Sequence, residues 1–123
     1  SSYPTPSAEA NLAAINTIRT KTNCKTGWSD HTVKEGVIYR AIHKWDASVV
    51  EFHLDVEGRG SEYKTGHCWL PLQIEKVIKS VKCGMSADGS GEKKPTESEM
   101  SDRLWRADPT DGLRPIKSQR QLF

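Results

Sequence analysis

The residues with the most chemistry to offer lie between Val37 and Glu57, where the sequence reads with a period of two. Val37, Tyr39, Ala41, His43 and Trp45 alternate with Ile38, Arg40, Ile42 and Lys44. Val50, Phe52, Leu54 and Val56 then alternate with Val49, Glu51, His53, Asp55 and Glu57. A turn at Asp46-Ala47 joins the runs into a hairpin that sets Tyr39 opposite Leu54 and Ala41 opposite Phe52, so both apolar rows share a face. The polar face sets Arg40 opposite His53, with Glu51 and Asp55 beside them. A carboxylate and an imidazole there can exchange protons with a 2′-hydroxyl and a leaving oxygen while a guanidinium holds the phosphate, as in a metal-free ribonuclease. The same residue types also cover the solvated face of any two-layer sheet. The reading therefore favours no catalytic set, and Glu51, His53 and Arg40 stand as an alternative.

The other reactive residues point to less. His31, His43, His53 and His67 are too far apart in sequence to show a ligand spacing, and no Cys-x-x-Cys occurs, so no metal and no cofactor are expected. Cys68 beside His67 suggests a thiolate–imidazole pair, but adjacent strand residues point to opposite faces. Ser86-Ala-Asp-Gly-Ser-Gly follows no strand and opens no helix, which makes it a linker and not a phosphate loop. Among the tryptophans, Trp28 and Trp105 are the candidates for exposed binding anchors, while the ordinary role of all four is to seal the edges of a core.

These side chains need elements to position them. Ala8, Leu12, Ile15 and Ile18 share a helical face, which predicts a helix from Ser7 to about Lys21. Residues 25–36 read as a loop, Glu62 to Leu70 as a third strand, and residues 71–82 as an amphipathic helix with Pro71 at its start and Gly84 as its stop. The expected fold class is α+β: two layers, with a small antiparallel sheet and two helices packed on one face. The expected organisation is a compact core over 1–85, a flexible acidic loop over 86–102, and a short anchoring strand and loose basic tail over 103–123.

Composition bounds the function. The 123 residues carry 18 basic and 16 acidic groups, a net charge of +2, which is no basic excess of the kind that marks a dedicated nucleic-acid binder. No stretch is apolar and long enough to span a membrane. The start, Ser-Ser-Tyr-Pro-Thr-Pro, suits a trimmed chain or a mature one whose signal peptide is gone, and secretion is the expectation. Three cysteines then suggest one disulfide and one thiol. Cys68 and Cys83 flank the helix over 71–82, about 18 Å long, too far for a bridge without breaking it. Cys24 and Cys83 each end a helix, so Cys24–Cys83 is the pairing expected. Cys24–Cys68 and three free thiols stay open.

The run Tyr63-Lys-Thr-Gly66-His-Cys68-Trp69-Leu70-Pro71, followed by a helix to Cys83-Gly84 and preceded by a helix ending near Cys24, resembles the plan of small secreted fungal proteins, the killer-toxin-like effectors. The resemblance covers about residues 8–85. It implies secretion by a fungus and binding of a protein target in a host or competing organism, effector- or toxin-like, with no catalysis. The ribonuclease-like phosphodiesterase and a cytosolic adaptor domain are the alternatives.

Overall fold

The computed structural model describes residues 2–122. Its contacts divide the chain into two units, one ending at Ala87 and the other beginning at Asp88. In the first unit, a 3-10 turn over Ser7–Glu9 leads to α1 (Ala14–Thr22), β1 (Trp28–Asp30), α2 (Glu35–His43), β2 (Val50–Leu54), α3 (Ser61–Thr65), β3 (Cys68–Trp69) and α4 (Pro71–Ala87). The sheet has three strands in the order β1-β2-β3. Both pairings are parallel: Trp28 lies against Val50, Asp30 against Phe52, and His53 against Cys68.

The antiparallel sheet expected from the alternation is thus corrected to a parallel one. Residues 37–45 form no strand. Val37, Ile38, Ala41 and Ile42 satisfy a helical stripe as well as an alternating one, and the first three are buried as one face of α2. Thr32-x-x-Glu35 ahead of that run is a helix-start pattern, and Thr32 Oγ1 accepts the Lys34 N–H at 3.2 Å. The Asp46-Ala47 break is a helix end. Asp46 takes a positive φ of 55°, its N–H reaches the Ile42 carbonyl, and the Ala47 N–H reaches back to Ala41 at 2.9 Å. That is a helix stop of the αL kind, whose left-handed residue resembles a turn signal in sequence. The chain then returns as β2 beside β1. Gly27 permits this approach, since a Cβ there would meet the Val49 carbonyl, which already accepts the Trp28 N–H.

The expectation for β2 holds within residues 49–57, and its alternation has the predicted two faces. Val50 and Phe52 pack against the core of Ile38, Trp69, Ile74 and Val77, contributed by α2, β3 and α4. Glu51 and His53 take the opposite face, and Cys68, level with His53, shares it. Leu54, expected inside, is 48% exposed. Between β2 and β3 the predicted third strand is mostly the short α3, so the β2-to-β3 connection is a crossover and not a hairpin. α4 passes through Gly84 and ends at Ala87.

The Cys24–Cys83 bridge is corrected too: Cys24, Cys68 and Cys83 are free thiols. Because α4 continues past Cys83, that residue lies within the helix and not at its end, and both it and Cys24 are exposed.

In the second unit, Thr96 and Glu99 form a capping box around a 3-10 turn, Glu97–Glu99. Asp102–Trp105 is a second 3-10 turn where a strand was expected, and α5 (Lys117–Arg120) follows. Asp108 organises this unit. It accepts hydrogen bonds from the Thr110 N–H and hydroxyl and from the Lys117 N–H at 2.7 Å. These donors hold its carboxyl down to about 2.

Candidate functional site

Parallel strands bring their carboxyl ends to one edge of a sheet, and in βα folds that edge is where ligands bind. Here it carries His31 and His53, and His67 joins them from the amino side of β3, which starts level with His53. His31 directly follows β1, His53 lies near the end of β2, and His67 directly precedes β3. The ring centroids of His31 and His53 are 5.1 Å apart, as are those of His53 and His67. Tyr3 closes the group from the N-terminal segment, 4.2 Å from the His31 ring and 5.1 Å from that of His67. The Thr5 N–H bonded to the His31 carbonyl at 2.9 Å fastens that segment to the strand end.

Asp30 positions His31. Its carboxylate is fully buried and accepts from the indole N–H of Trp28, from the hydroxyl and N–H of Thr32, from the N–H of Val33, and from the indole N–H of Trp69 at 2.9 Å. One side chain thereby ties β1, the start of the following loop and β3 together. The His31 ring next to it is buried, and its Nδ1 has no hydrogen-bond partner. Burial lowers the His31 pKa, the neighbouring His53 lowers it further, and Asp30 offsets only part of this. His31 is therefore a neutral imidazole with a free polar atom, suited to accept or donate one hydrogen bond to a ligand.

Around His67 the chain is shaped by a second aspartate. Asp55 accepts the N–H groups of Glu57, Gly58 and Gly60. Burial opposes ionisation of Asp55, but these bonds outweigh it and its pKa is lowered. The loop they shape opens α3, which carries Glu62. Gly66, with φ of 91°, then turns the chain out of α3 into His67 and Cys68. Glu62 Oε2 lies 3.1 Å from His53 Nδ1, 3.9 Å from His67 Nε2 and 4.0 Å from Cys68 Sγ. Burial, and then the charges of Glu62 and Asp55, push the Cys68 thiol up. His53, Glu62, His67 and Cys68 each offer a ligand atom, all within 4.8 Å of one another, so among the described residues they form a group that could hold a metal ion.

The structure treats the residues singled out from sequence unequally. His53 is in the cluster and Glu51 shares its face of β2. Arg40 is on α2 and lines a separate cleft with Ser7, Val37 and Trp45, so the hairpin register that set it opposite His53 does not exist. Trp28 is half-buried with its indole N–H on Asp30, and Trp105 is 57% exposed in the second unit. Sequence reasoning weighed His31 and His67 and set them aside, and it did not single out Glu62 or Tyr3. The available signal was a polar residue beside each short strand, His31 just after β1 and His67 just before β3, which gains meaning only in a parallel sheet.

Comparison with known proteins agrees with this geometry. The model of the NeuB family matches residues 1–93. An N,N′-diacetyllegionaminic acid synthase of Legionella pneumophila is 30% identical over 102 residues, and an uncharacterized protein of Methanocaldococcus jannaschii 33% identical over 102 residues. The matches cover 81% and 80% of this chain but 28% and 29% of those proteins, so the chain spans under a third of their length. The crystal structure of an N-acetylneuraminic acid synthetase from Leptospira borgpetersenii, in complex with citrate, superposes with a TM-score of 0.62 at 27% identity, over 83% of this chain and 35% of that one. A spore coat polysaccharide biosynthesis protein E from Chromobacterium violaceum shares the fold, with a TM-score of 0.60 at 24% identity, over 86% of this chain and 32% of that one. The NeuB match spans all of the residues on which the killer-toxin-like pattern rested. That resemblance, and the effector- or toxin-like function drawn from it, are corrected accordingly.

Proposed function

We infer the function from one premise: the chain belongs to the NeuB family. It is the part of a biosynthetic enzyme that supplies one wall of the active site, in the synthesis of an acidic sugar of the sialic acid or legionaminic acid kind. The observation that carries this reading is the buried, unpartnered Nδ1 of neutral His31 within the imidazole cluster at the strand ends. A sugar substrate presents hydroxyls and a carbonyl, and each needs a fixed donor or acceptor. A neutral imidazole can serve as either, and one packed against Tyr3, on a backbone that Asp30 pins through the N–H groups of Thr32 and Val33, keeps its direction between turnovers. His53 provides a second such group, with its Nδ1 turned toward the Glu62 carboxylate. The substrate in this reading takes the place of the protein target expected from sequence.

The test uses the protein as the cell makes it. Formation of N-acetylneuraminic or N,N′-diacetyllegionaminic acid is followed by mass spectrometry for the wild type, His31→Ala and His53→Ala. Each substitution is expected to lower kcat by about 10² or more, in the range of a lost acid–base group. Undiminished turnover in both variants would show that the cluster lies outside the active site.

A further inference from the structure

We propose that the cleft between α2 and the segment leading into α1 binds a small planar organic phosphate of the nucleoside monophosphate class. The site is separate from the imidazole cluster and does not depend on what the whole enzyme makes. The cleft has a volume of about 600 Å³ and opens to solvent, within the range of sites that hold small molecules. Leu12, Ala13 and Val37 give it apolar surface, and Lys34, Arg40 and Trp45 line it from α2 and its two ends.

Its charge is uncompensated. Among the described residues no acidic side chain lines the cleft, and the side chains of Lys34 and Arg40 have no ion-pair partner. Glu35 and Asp46, the acids next to Lys34 and Trp45 in sequence, stand outside the lining, and Asp46 is held by Arg19 at 3.1 Å. Lys34 and Arg40 are six residues apart, about 9 Å along a helix axis, a gap that two long side chains can close onto one group. Two cations without a counter-charge match a dianion, and a planar guanidinium beside an ammonium is a usual way to hold a phosphate.

Gly36 supplies an independent observation. It lies one turn before Arg40 on the same face of α2. Glycine in a helix is unfavourable relative to alanine. This one has no positive φ, and a Cβ there would meet nothing within 4 Å, so neither backbone conformation nor packing requires it. Its missing side chain leaves open space in the cleft beside Arg40. The planar part of the ligand follows from Trp45, which is half-buried and brings an aromatic ring to the same cleft. Bases stack on such rings whatever their identity, and the Asn11 amide and Ser7 hydroxyl, also in the lining, suit the hydroxyls of a sugar between base and phosphate.

The experiment measures binding of adenosine 5′-monophosphate to the protein as the cell makes it, by isothermal titration calorimetry at low salt. Ribose 5-phosphate and adenosine divide the ligand into its two halves, and each is expected to bind at least about 10-fold more weakly than the nucleotide. Lys34→Ala/Arg40→Ala, at two exposed positions, is expected to weaken nucleotide binding by about 100-fold or more. Gly36→Leu, which fills the cleft, is expected to abolish binding while keeping its far-ultraviolet circular dichroism. His53→Ala is the control for binding at the strand ends and is expected to bind the nucleotide as the wild type does. Absence of binding to the wild type overturns the proposal, as does wild-type affinity in the double variant. Equal affinity for either half of the ligand, or loss of binding in His53→Ala alone, overturns it as well. If Gly36→Leu does not fold, the double variant decides.

Discussion

Asp30 and Asp108 each anchor one unit of the molecule, and they gather their hydrogen bonds over different distances along the chain. Asp108 takes donors two and nine residues ahead, from Thr110 and Lys117. Asp30 takes donors one turn ahead, from Thr32 and Val33, and another from Trp69, 39 residues away on β3. The first is an Asx-type turn, available to a short polar segment whatever surrounds it. The second exists only once the parallel sheet has formed. Asp30 therefore reports on the assembled site, and Asp108 on a local loop.

The sharpest way to break this contrast is Asp30→Ala. It leaves the buried indole N–H of Trp69, the buried N–H of Thr32 and the half-buried N–H of Val33 without an acceptor, which should cost about 3 kcal/mol in chemical denaturation of the chain. A loss below ~1 kcal/mol would mean that Asp30 is replaceable by water and does not join the strands.

Next in size is the core beside it. Ile74→Ala, on the buried face of α4, is expected to cost about 2–5 kcal/mol, whereas Leu54→Ala, at an exposed strand end, should cost under ~1 kcal/mol. Equal costs in denaturant unfolding would favour the hairpin, in which Leu54 belongs to the interior.

Acid should separate the two units. The pKa of His31 is lower in the folded chain than in the unfolded one. Its contribution to stability is present above the ordinary histidine value of about 6.5 and is lost as pH falls from there toward its folded value. Asp108, held down to about 2, contributes above the ordinary aspartate value of about 4 and loses that contribution only as pH falls toward about 2. Amide NMR signals around residues 28–32 should therefore respond at a higher pH than those of Thr110 and Lys117. The reverse order would contradict the assignment of His31 as buried and neutral.

The smallest effect belongs to Thr110→Ala. It removes one of the hydroxyl and backbone donors to Asp108 and should raise the Asp108 titration midpoint, read from its side-chain carboxyl signal, toward the ordinary range. An unmoved midpoint would assign the depressed value to the Lys117 N–H and Arg120 instead.

The contrast also explains which parts of the structure were legible in the sequence. Elements with one dominant local signal were readable: α4 from its stripe of Ile74, Val77, Ile78 and Val81 behind Pro71, α1 in part, and β2 with its two faces. Residues 37–43 were not, because Val37, Ile38, Ala41 and Ile42 fit helical and alternating patterns alike, and the left-handed Asp46 that ends α2 resembles a hairpin turn. Taking that segment as a strand made the sheet antiparallel and set Arg40 opposite His53, while the Cys24–Cys83 bridge failed separately, because α4 runs on past Cys83.

The candidate site shows the same division. The sequence by itself determined which atoms are available, namely the imidazoles of His31, His53 and His67, the thiol of Cys68 and the carboxylates of Asp30 and Glu62, and it determined that Glu51 and His53 share a strand face. Their assembly was decided by the tertiary structure. Residues 22 and 14 apart along the chain come within 5.1 Å, ring to ring, only because β1 and β2 run parallel and end together, and because β3 begins level with His53. Strand direction is set by the burial of α2 and α4 over Val50, Phe52 and Trp69, a packing choice that no local pattern of residues encodes.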